Sequence, residues 1–111
     1  MHQEIYEKLK QIAKNQTIVF YSQIAPLANL DMERSDDRNK IAEILDEISH
    51  HEHSQGRPLL SAVVVHSHGQ DGGGIPGLGF FKMAKALKLQ GREDNVTFFA
   101  QELIKVHRTW L

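Results

Sequence analysis

The chain has 111 residues, the length of one ordinary domain, and 41% of them are hydrophobic, which is enough apolar material for one core. It contains no cysteine, so disulfides, thiolate zinc sites and cysteine nucleophiles are excluded. The net charge of −1 excludes a strong general attraction to nucleic acid, although residues 1–55 carry six Lys or Arg against ten Asp or Glu and residues 56–111 carry seven against four.

The N-terminal segment MHQEIYEKLK is charged and amphipathic, which is not the pattern of a signal peptide. The longest apolar run, Leu59–Val65, is too short to span a bilayer. We therefore expect a cytoplasmic protein with no membrane partner, and we treat residues 1–111 as a single domain because no repeat or linker interrupts them.

The first predicted elements are a helix, a strand and a second helix. The apolar spacing of Gln3–Lys14 is typical of a helix that buries one face. The β-branched and aromatic run Thr17–Phe20 predicts a short strand. Ser22 can cap a second helix that continues to Ala28, with Pro26 close enough to its start to be tolerated.

The third predicted helix has the clearest pattern in the chain. Its apolar residues follow the helical period without error and are Ile41, Ile44, Leu45 and Ile48. Asp36 or Asp37 can cap it, because a short carboxylate accepts the free amide hydrogens of the first turn. We expect one helix over Asp37–Ser49 that fades in the following histidines and stops before Gly56.

The C-terminal half begins with a predicted strand over Leu59–Val65, apolar on both faces and paired with Ile18–Phe20. A loop over residues 69–74 follows, then a brief returning strand at Ile75 and a turn over residues 76–79. The fourth helix runs from Phe80 to Leu89, with apolar residues on one face and lysines on the other.

Asp94 or Asn95 caps the last predicted helix, which carries a seam-like apolar stripe: Val96, Phe99, Leu103, Val106 and Trp110. We expect this stripe to pack on the fourth helix, with Trp110 in the core. Phe98 and Ile104 lie off the stripe, so a homodimer would use the remaining surface of these two helices.

This order of elements predicts an α+β fold with a winged helix-turn-helix-like core, a small sheet and two extra C-terminal helices. The wing would be the loop between the last two strands. The alternative is an unrelated small α+β domain with the same order of elements.

Ile18–Leu45 resembles the DNA-binding domain of the alkylguanine-DNA alkyltransferases and alkyltransferase-like proteins, through "IVFYSQIAPLANL" and "RNKIAEIL". The segment "GRPLLSAVVVHSHG" falls near the Pro-Cys-His-Arg-Val motif of that family. Leu59, Leu60 and Ser61 stand at the reactive position, so alkyl transfer is excluded because no suitable nucleophile is present.

The C-terminal half resembles a group of small bacterial proteins of unassigned activity. The shared pieces are Gly-Arg-Pro-Leu-Leu-Ser before a valine strand, Pro-Gly-x-Gly-Phe-Phe, and a C-terminal helix ending in tryptophan, which are here Gly56–Ser61, Pro76–Phe81 and Val96–Trp110. The resemblance supports the domain boundary and implies no chemistry.

Four histidines are candidate metal ligands: His50, His53, His66 and His68. The first two share a helix side and the last two share a strand face, and with Asp71 they could hold Zn²⁺. Exposed loop histidines without a metal are the alternative, and we expect no cofactor unless this zinc site exists.

Gly77 and Gly79 precede a helix whose N-terminal amides could hold an anion, with Lys82 in its first turn. The alternative is a structural turn that directs Phe80 and Phe81 to the core. Arg57 is a further candidate for ligand binding, but a pairing with a carboxylate of the third helix is favoured.

Nucleic-acid binding would use the N-terminal end of the third helix, where the candidate residues are Arg34, Arg38, Asn39 and Lys40. The exposed face of the same helix carries Glu43, Asp46 and Glu47, which argue against a phosphate backbone along it. Our preferred interpretation is a non-catalytic binding or interaction module with a protein partner, a homodimer or another ligand. DNA binding is the second interpretation, and a histidine metal site, perhaps hydrolytic, is the third.

Overall fold

Helices, two short strands and two 3₁₀ turns make up the described part of the chain, residues 1–67 and 73–111 of a computed structural model. The helices are α1 (Gln3–Lys14), α2 (Tyr21–Ile24), α3 (Ser35–Ser54), α4 (Leu78–Ala86) and α5 (Asn95–Thr109). The strands are β1 (Val19–Phe20) and β2 (Val64–Val65), and the 3₁₀ turns are Ala25–Ala28 and Leu60–Val63. This content confirms the α+β class.

The two strands pair in parallel, with Val19 opposite Val64 and Phe20 opposite Val65. The predicted pairing is therefore confirmed. Beyond β2, the His66 amide donates to the Ile75 carbonyl at 2.9 Å, and the Gly74 amide donates to the His66 carbonyl at 2.8 Å. Ile75 thus returns to the end of β2 without forming a strand, and most of the predicted wing lies outside the described residues.

The prediction of one strand over Leu59–Val65 is wrong for its first five residues. All seven residues are buried, as predicted, but Leu60–Val63 forms a 3₁₀ turn and the strand is confined to β2. The Ser49 and Ser61 hydroxyls lie 2.6 Å apart, and the Ser61 amide donates to the Ser49 hydroxyl oxygen at 3.0 Å. A continuous apolar run does not distinguish a buried turn from a buried strand, because both need only apolar surroundings.

Helix α3 confirms the predicted helix and is longer at both ends. The predicted cap is wrong: Arg34 occupies the cap position without a side-chain bond, and Asp36 and Asp37 lie in the first turn. The Asp37 carboxylate instead accepts the Asp31 amide at 2.9 Å. Acidic side chains still favour this helix end through its dipole.

The C-terminal end of α3 explains the Gly-Arg-Pro segment. Gly56 has φ of +75°, and the amides of Gly56 and Arg57 donate to the carbonyls of His53 and Glu52, which is a Schellman motif. Arg57 donates to both carboxylate oxygens of Glu52, at 3.0 and 2.7 Å, and the Tyr6 hydroxyl donates to the same buried group at 2.9 Å. The predicted pairing of Arg57 with a carboxylate of this helix is confirmed.

The N-terminal elements differ from prediction in detail. Helix α1 has the predicted bounds. The predicted strand shortens to β1, and α2 begins at Tyr21, so Ser22 is not its cap. The Phe20 amide donates to the Gln23 side chain at 2.9 Å at this end. The chain then tightens into the 3₁₀ turn at Ala25–Ala28, which contains Pro26.

Helix α5 is capped by Asp94, whose carboxylate accepts the Thr97 amide at 2.7 Å, as predicted. Its buried face is rotated from the predicted stripe: Val96 is 59% exposed, whereas Phe98 is buried. Glu102 is buried on this face because its carboxylate accepts the Leu59 amide at 2.8 Å. A stripe read only from apolar residues could not include this carboxylate.

The packing of α5 also differs in part from prediction. The helix lies mainly against the Leu60–Val63 turn and α1, although the Phe98 and Phe80 rings approach to 6.1 Å between centroids. Trp110 is partly buried, with the Arg57 guanidinium 5.7 Å from its ring centroid. Trp110→Ala should therefore lower the free energy of unfolding by less than the roughly 3–5 kcal/mol that removal of a completely buried large ring costs.

One hydrophobic cluster joins all five helices and both strands across the described residues. The Leu60–Val63 turn lies at its centre, against α1, α3 and α5. No helix in this part of the chain combines the length and the apolar character needed to cross a membrane. The helices pack around the strand pair, and the carboxyl ends of β1 and β2 lie together at one edge of the core.

Candidate ligand-binding cleft

Tyr21 and His66 are the residues that directly follow the two strands. Because the strands are parallel, their carboxyl ends lie at the same edge of the sheet, which brings the two side chains together. The ring centroids are 4.7 Å apart at an interplanar angle of 35°. Crevices at the carboxyl ends of parallel strands are the usual ligand sites of open α/β sheets.

Gly77, at the start of α4, closes against this pair of rings. Its amide donates to the Tyr21 hydroxyl oxygen at 2.8 Å. A Cβ at this position would lie 3.3 Å from His66 Nε2 and 3.4 Å from the Tyr21 hydroxyl, so the His66 ring would have to shift by a few tenths of an ångström to admit a side chain. The turn then directs Phe80 and Phe81 into the core, as the structural interpretation of the glycines predicted.

Helix α3 supplies the opposite wall through a run of residues at helical spacing. Residues at i, i+3, i+4, i+7 and i+8 share one side of a helix, and those that line the cleft are Arg38, Ile41, Ala42, Leu45 and Asp46. The wall is therefore apolar along its middle and carries an opposite charge at each end.

The resulting cleft consists of two neighbouring cavities with shared lining residues. One cavity has a volume of about 140 Å³ and a floor formed by Ile41, Leu45 and Phe80, and we call it the inner chamber. The outer chamber is a cavity of about 320 Å³ whose rim includes Ser22, Glu33 and Ser67. The two chambers share Tyr21, Met32, Arg38 and His66. An apolar cavity of about 150 Å³ holds a molecule of benzene size, so the inner chamber fits a compact apolar group.

Burial shifts three titratable groups of the cleft toward their neutral forms. It raises the pKa of Asp46, against the opposing charge of His50, and it lowers the pKa of His66. Burial also raises the pKa of Tyr21, although the Gly77 amide opposes this shift and the Asp46 charge adds to it. At neutral pH the cleft therefore presents a neutral imidazole and a neutral phenol.

Three polar groups of the cleft keep bonding capacity that no other described residue uses. The Tyr21 hydroxyl accepts from Gly77, but its own hydrogen has no acceptor in residues 1–67 and 73–111. Arg38 donates through Nη1 to the Met32 carbonyl at 2.9 Å and has no carboxylate within 4 Å in the same ranges. Asp46 has no hydrogen bond or ion pair in the part of the chain that is described.

The structure divides the predicted anion site between two places. Gly77 and Gly79 line the inner chamber. Lys82 is exposed and does not line it. Arg57 lies in a separate groove with Lys105 and Arg108, where Glu52 already binds its guanidinium. Arg57 is therefore a structural residue, and the glycines belong with Tyr21 and His66.

The predicted metal ligands are also divided. His66 lines the cleft, His53 lies in the groove with Arg57, and His50 is near Asp46 on α3. Within residues 1–67 and 73–111, no three His, Asp or Glu side chains are grouped as a metal ion requires. His68 and Asp71 lie outside the described residues, so the zinc site stays a prediction.

The predicted nucleic-acid residues lie on the exposed N-terminal end of α3: Arg34, Arg38, Asn39 and Lys40. The structure adds that Arg38 also reaches the cleft. Asp36 and Asp37 share this helix end, and Arg34 approaches Asp37 at 4.0 Å.

Tyr21 is not among the site residues predicted from the sequence, and Asp46 enters that prediction only as a charge that opposes DNA binding. The available signal was positional: Tyr21 and His66 each follow a predicted strand, and parallel pairing of those strands would have placed them side by side. The sequence does not show whether two strands pair in parallel.

Comparisons with family models, with curated proteins and with solved structures find no match to this chain. The two resemblances described above therefore stay predictions.

Proposed function

We propose that the protein is a non-catalytic binding module whose cleft holds a small molecule. The observation that carries this proposal is the set of unused polar groups around an apolar chamber, contributed by Tyr21, Arg38 and Asp46. Tyr21 and Asp46 are half-buried and Arg38 is exposed at the cleft, so a ligand that covers these groups must offer them hydrogen-bond or charged partners. A ligand with a compact apolar body and polar ends would satisfy them.

The chemistry of the cleft supports binding more than catalysis. Ser61 is the serine that lines the inner chamber and so the candidate nucleophile there. Its side chain is buried, however, and its hydroxyl oxygen lies 2.6 Å from the Ser49 hydroxyl. It also lacks the strand-to-helix elbow that exposes such nucleophiles. The neutral His66 ring lies in a tilted contact with the Tyr21 ring, which suits it to a role in the shape and hydrogen bonding of the wall.

A fragment library screened by amide NMR tests the proposal. Binding fragments should shift the amide signals of His66, Gly77 and Gly79. Ala42→Leu should abolish these shifts, because Ala42 lines the inner chamber and leucine would fill it. Ala100→Leu is the matched control, since Ala100 is an exposed alanine on α5. Fragments that bind elsewhere, or that are insensitive to Ala42→Leu, would contradict the proposal.

DNA binding by a winged-helix-like core is the second candidate. It is supported by the exposure of Arg34, Asn39 and Lys40 on a long helix that follows a short one. The acidic residues of the same helix oppose it. Titration of a labelled duplex at low salt is the test: binding through this surface should weaken steeply as salt rises and should be lost in Lys40→Glu. No binding at low ionic strength would remove this candidate.

A further inference from the structure

Asp46 is the carboxylate that lines the inner chamber. Its side chain is half-buried in the wall of the inner chamber, beside Leu45 and Ala42. Burial of a carboxylate without a partner costs free energy, and a partner of opposite charge removes much of that cost. Within residues 1–67 and 73–111 no side chain forms an ion pair or hydrogen bond with Asp46, and the charge of His50 offsets only part of the effect of burial on its pKa.

The other groups that face Asp46 do not neutralise it. Tyr21 and His66 are neutral at physiological pH, for the reasons given above. Arg38 is two helical turns away, is exposed, and donates toward Met32 at the preceding loop. Arg38 is therefore open to solvent at its end of the cleft, whereas the Asp46 side chain is half-buried in the wall.

The chamber around Asp46 suits an organic cation. Its floor is apolar, and Tyr21 and Phe80 add aromatic rings, whose faces attract cations. Glu33 at the outer rim adds a second carboxylate, so the described carboxylates of the cleft outnumber its one arginine. An anion would meet Asp46 with the same sign of charge inside the chamber.

We propose that the inner chamber binds a small primary amine, with its compact apolar body on the floor of Ile41, Leu45 and Phe80 and its ammonium group paired with the Asp46 carboxylate. The proposal rests on the proposed function of the cleft and specifies its ligand class. Arg38 at the mouth leaves room for a hydrated polar or acidic substituent at the far end of such a ligand.

Three probes with the same ring separate charge from shape: benzylamine, benzyl alcohol and benzoate. Their affinities are measured by calorimetry and by the amide shifts of Gly77 and Gly79. We expect benzylamine to bind at least about tenfold more tightly than benzyl alcohol, because a charge-assisted hydrogen bond is stronger than a neutral one. Benzoate should bind most weakly.

Asp46→Asn should reduce benzylamine to the affinity of benzyl alcohol and leave benzyl alcohol unchanged. Glu43→Gln is the matched control, because Glu43 is an exposed carboxylate on the same helix outside the cleft, and it should preserve the preference. Asp46→Ala repeats the test, and circular dichroism confirms that each variant is folded.

A preference for benzoate, or a benzylamine preference that survives both Asp46 variants, would overturn the amine proposal. Absence of binding by all three probes would overturn it as well. The fragment screen judges the proposed function separately. If neutral or acidic fragments bind the chamber and Ala42→Leu abolishes their binding, the cleft is supported as a ligand site even though the amine proposal fails.

Discussion

Arg57 and Glu52 form an ion pair with two hydrogen bonds, which joins the end of α3 to the segment that precedes the Leu60–Val63 turn. Glu52 is fully buried, and Tyr6 from α1 donates to the same carboxylate. The pair therefore ties three segments together, and Arg57 also covers the Trp110 ring. At the scale of single residues, the Gly-Arg-Pro segment that begins at Gly56 therefore has a structural role.

Arg57→Ala should lower the free energy of unfolding by about 3 kcal/mol, because it leaves a buried carboxylate with Tyr6 as its remaining donor. This value is at the lower end for a broken buried pair, since the Arg57 side chain is 33% exposed. Urea denaturation measures the effect. Arg92→Ala is the control at an exposed arginine and should change stability little. A loss below about 1 kcal/mol would show that water replaces the guanidinium.

Asp46→Asn should raise the melting temperature at pH 7. The raised pKa of Asp46 means that the folded state holds this proton more tightly than the unfolded state, so the ionised carboxylate costs stability at neutral pH. The gain should shrink as the pH falls through the raised pKa, where the wild-type carboxyl also becomes neutral. Thermal scans at several pH values measure this difference in melting temperature, with Glu43→Gln as the control. A lower melting temperature for Asp46→Asn at pH 7 would contradict the prediction. A binding residue that costs stability is a common feature of functional sites.

At the scale of elements, three helices end in the same way with different residues. Gln16, Gly56 and Lys88 each have φ between +60° and +75° just beyond a helix, and each follows the Schellman pattern of amide bonds. Glycine adopts this conformation without strain, whereas a residue with a Cβ does not. The glycine signal therefore predicted the end of α3 but not the ends of α1 and α4.

Two substitutions at the same motif position should have opposite effects. Gly56→Ala should cost about 1 kcal/mol because of strain at positive φ, since no neighbouring atom would contact the new Cβ. Lys88→Gly should gain up to about 1 kcal/mol, since it relieves the same strain at an exposed position. Chemical denaturation measures both. The same sign for both variants would show that positive φ does not set the stability of these helix ends.

At the scale of the whole molecule, the Leu60–Val63 turn connects the helices. Its residues are buried, and they contact α1, α3 and α5. A substitution that destabilises this turn should therefore destabilise all three helices together, which is the behaviour expected of a single domain. The predicted domain bounds of residues 1–111 and the predicted cytoplasmic location stay predictions.

Val63→Ala should lower the free energy of unfolding by about 2 kcal/mol and preserve one transition. The reason is that Val63 lies in the one cluster shared by the helices of the described chain. Far-UV circular dichroism reports the helices, and Trp110 fluorescence reports the C-terminal end of α5. Transitions that coincide would confirm one cooperative unit, whereas separate midpoints would show that α5 unfolds independently.

The predicted elements were right where one local pattern was sufficient. The bounds of α1, the central part of α3 and the Asp94 cap of α5 follow from helical spacing and capping chemistry, which act over a few residues. The errors occurred where a distant partner decided the outcome. Ser61 lies in the 3₁₀ turn that stands in place of the predicted strand and bonds to Ser49, and the buried Glu102 carboxylate accepts the Leu59 amide.

The candidate site shows the same division. The sequence by itself determined the helices, the buried run and the glycine turn, because local spacing and the size of the apolar surface require them. Only the tertiary structure decided that β1 and β2 pair in parallel, which places Tyr21 beside His66 and brings Gly77 and Asp46 to the same cleft. Strand direction depends on how the intervening helices pack over the sheet, and this packing sums contacts between residues far apart in the chain.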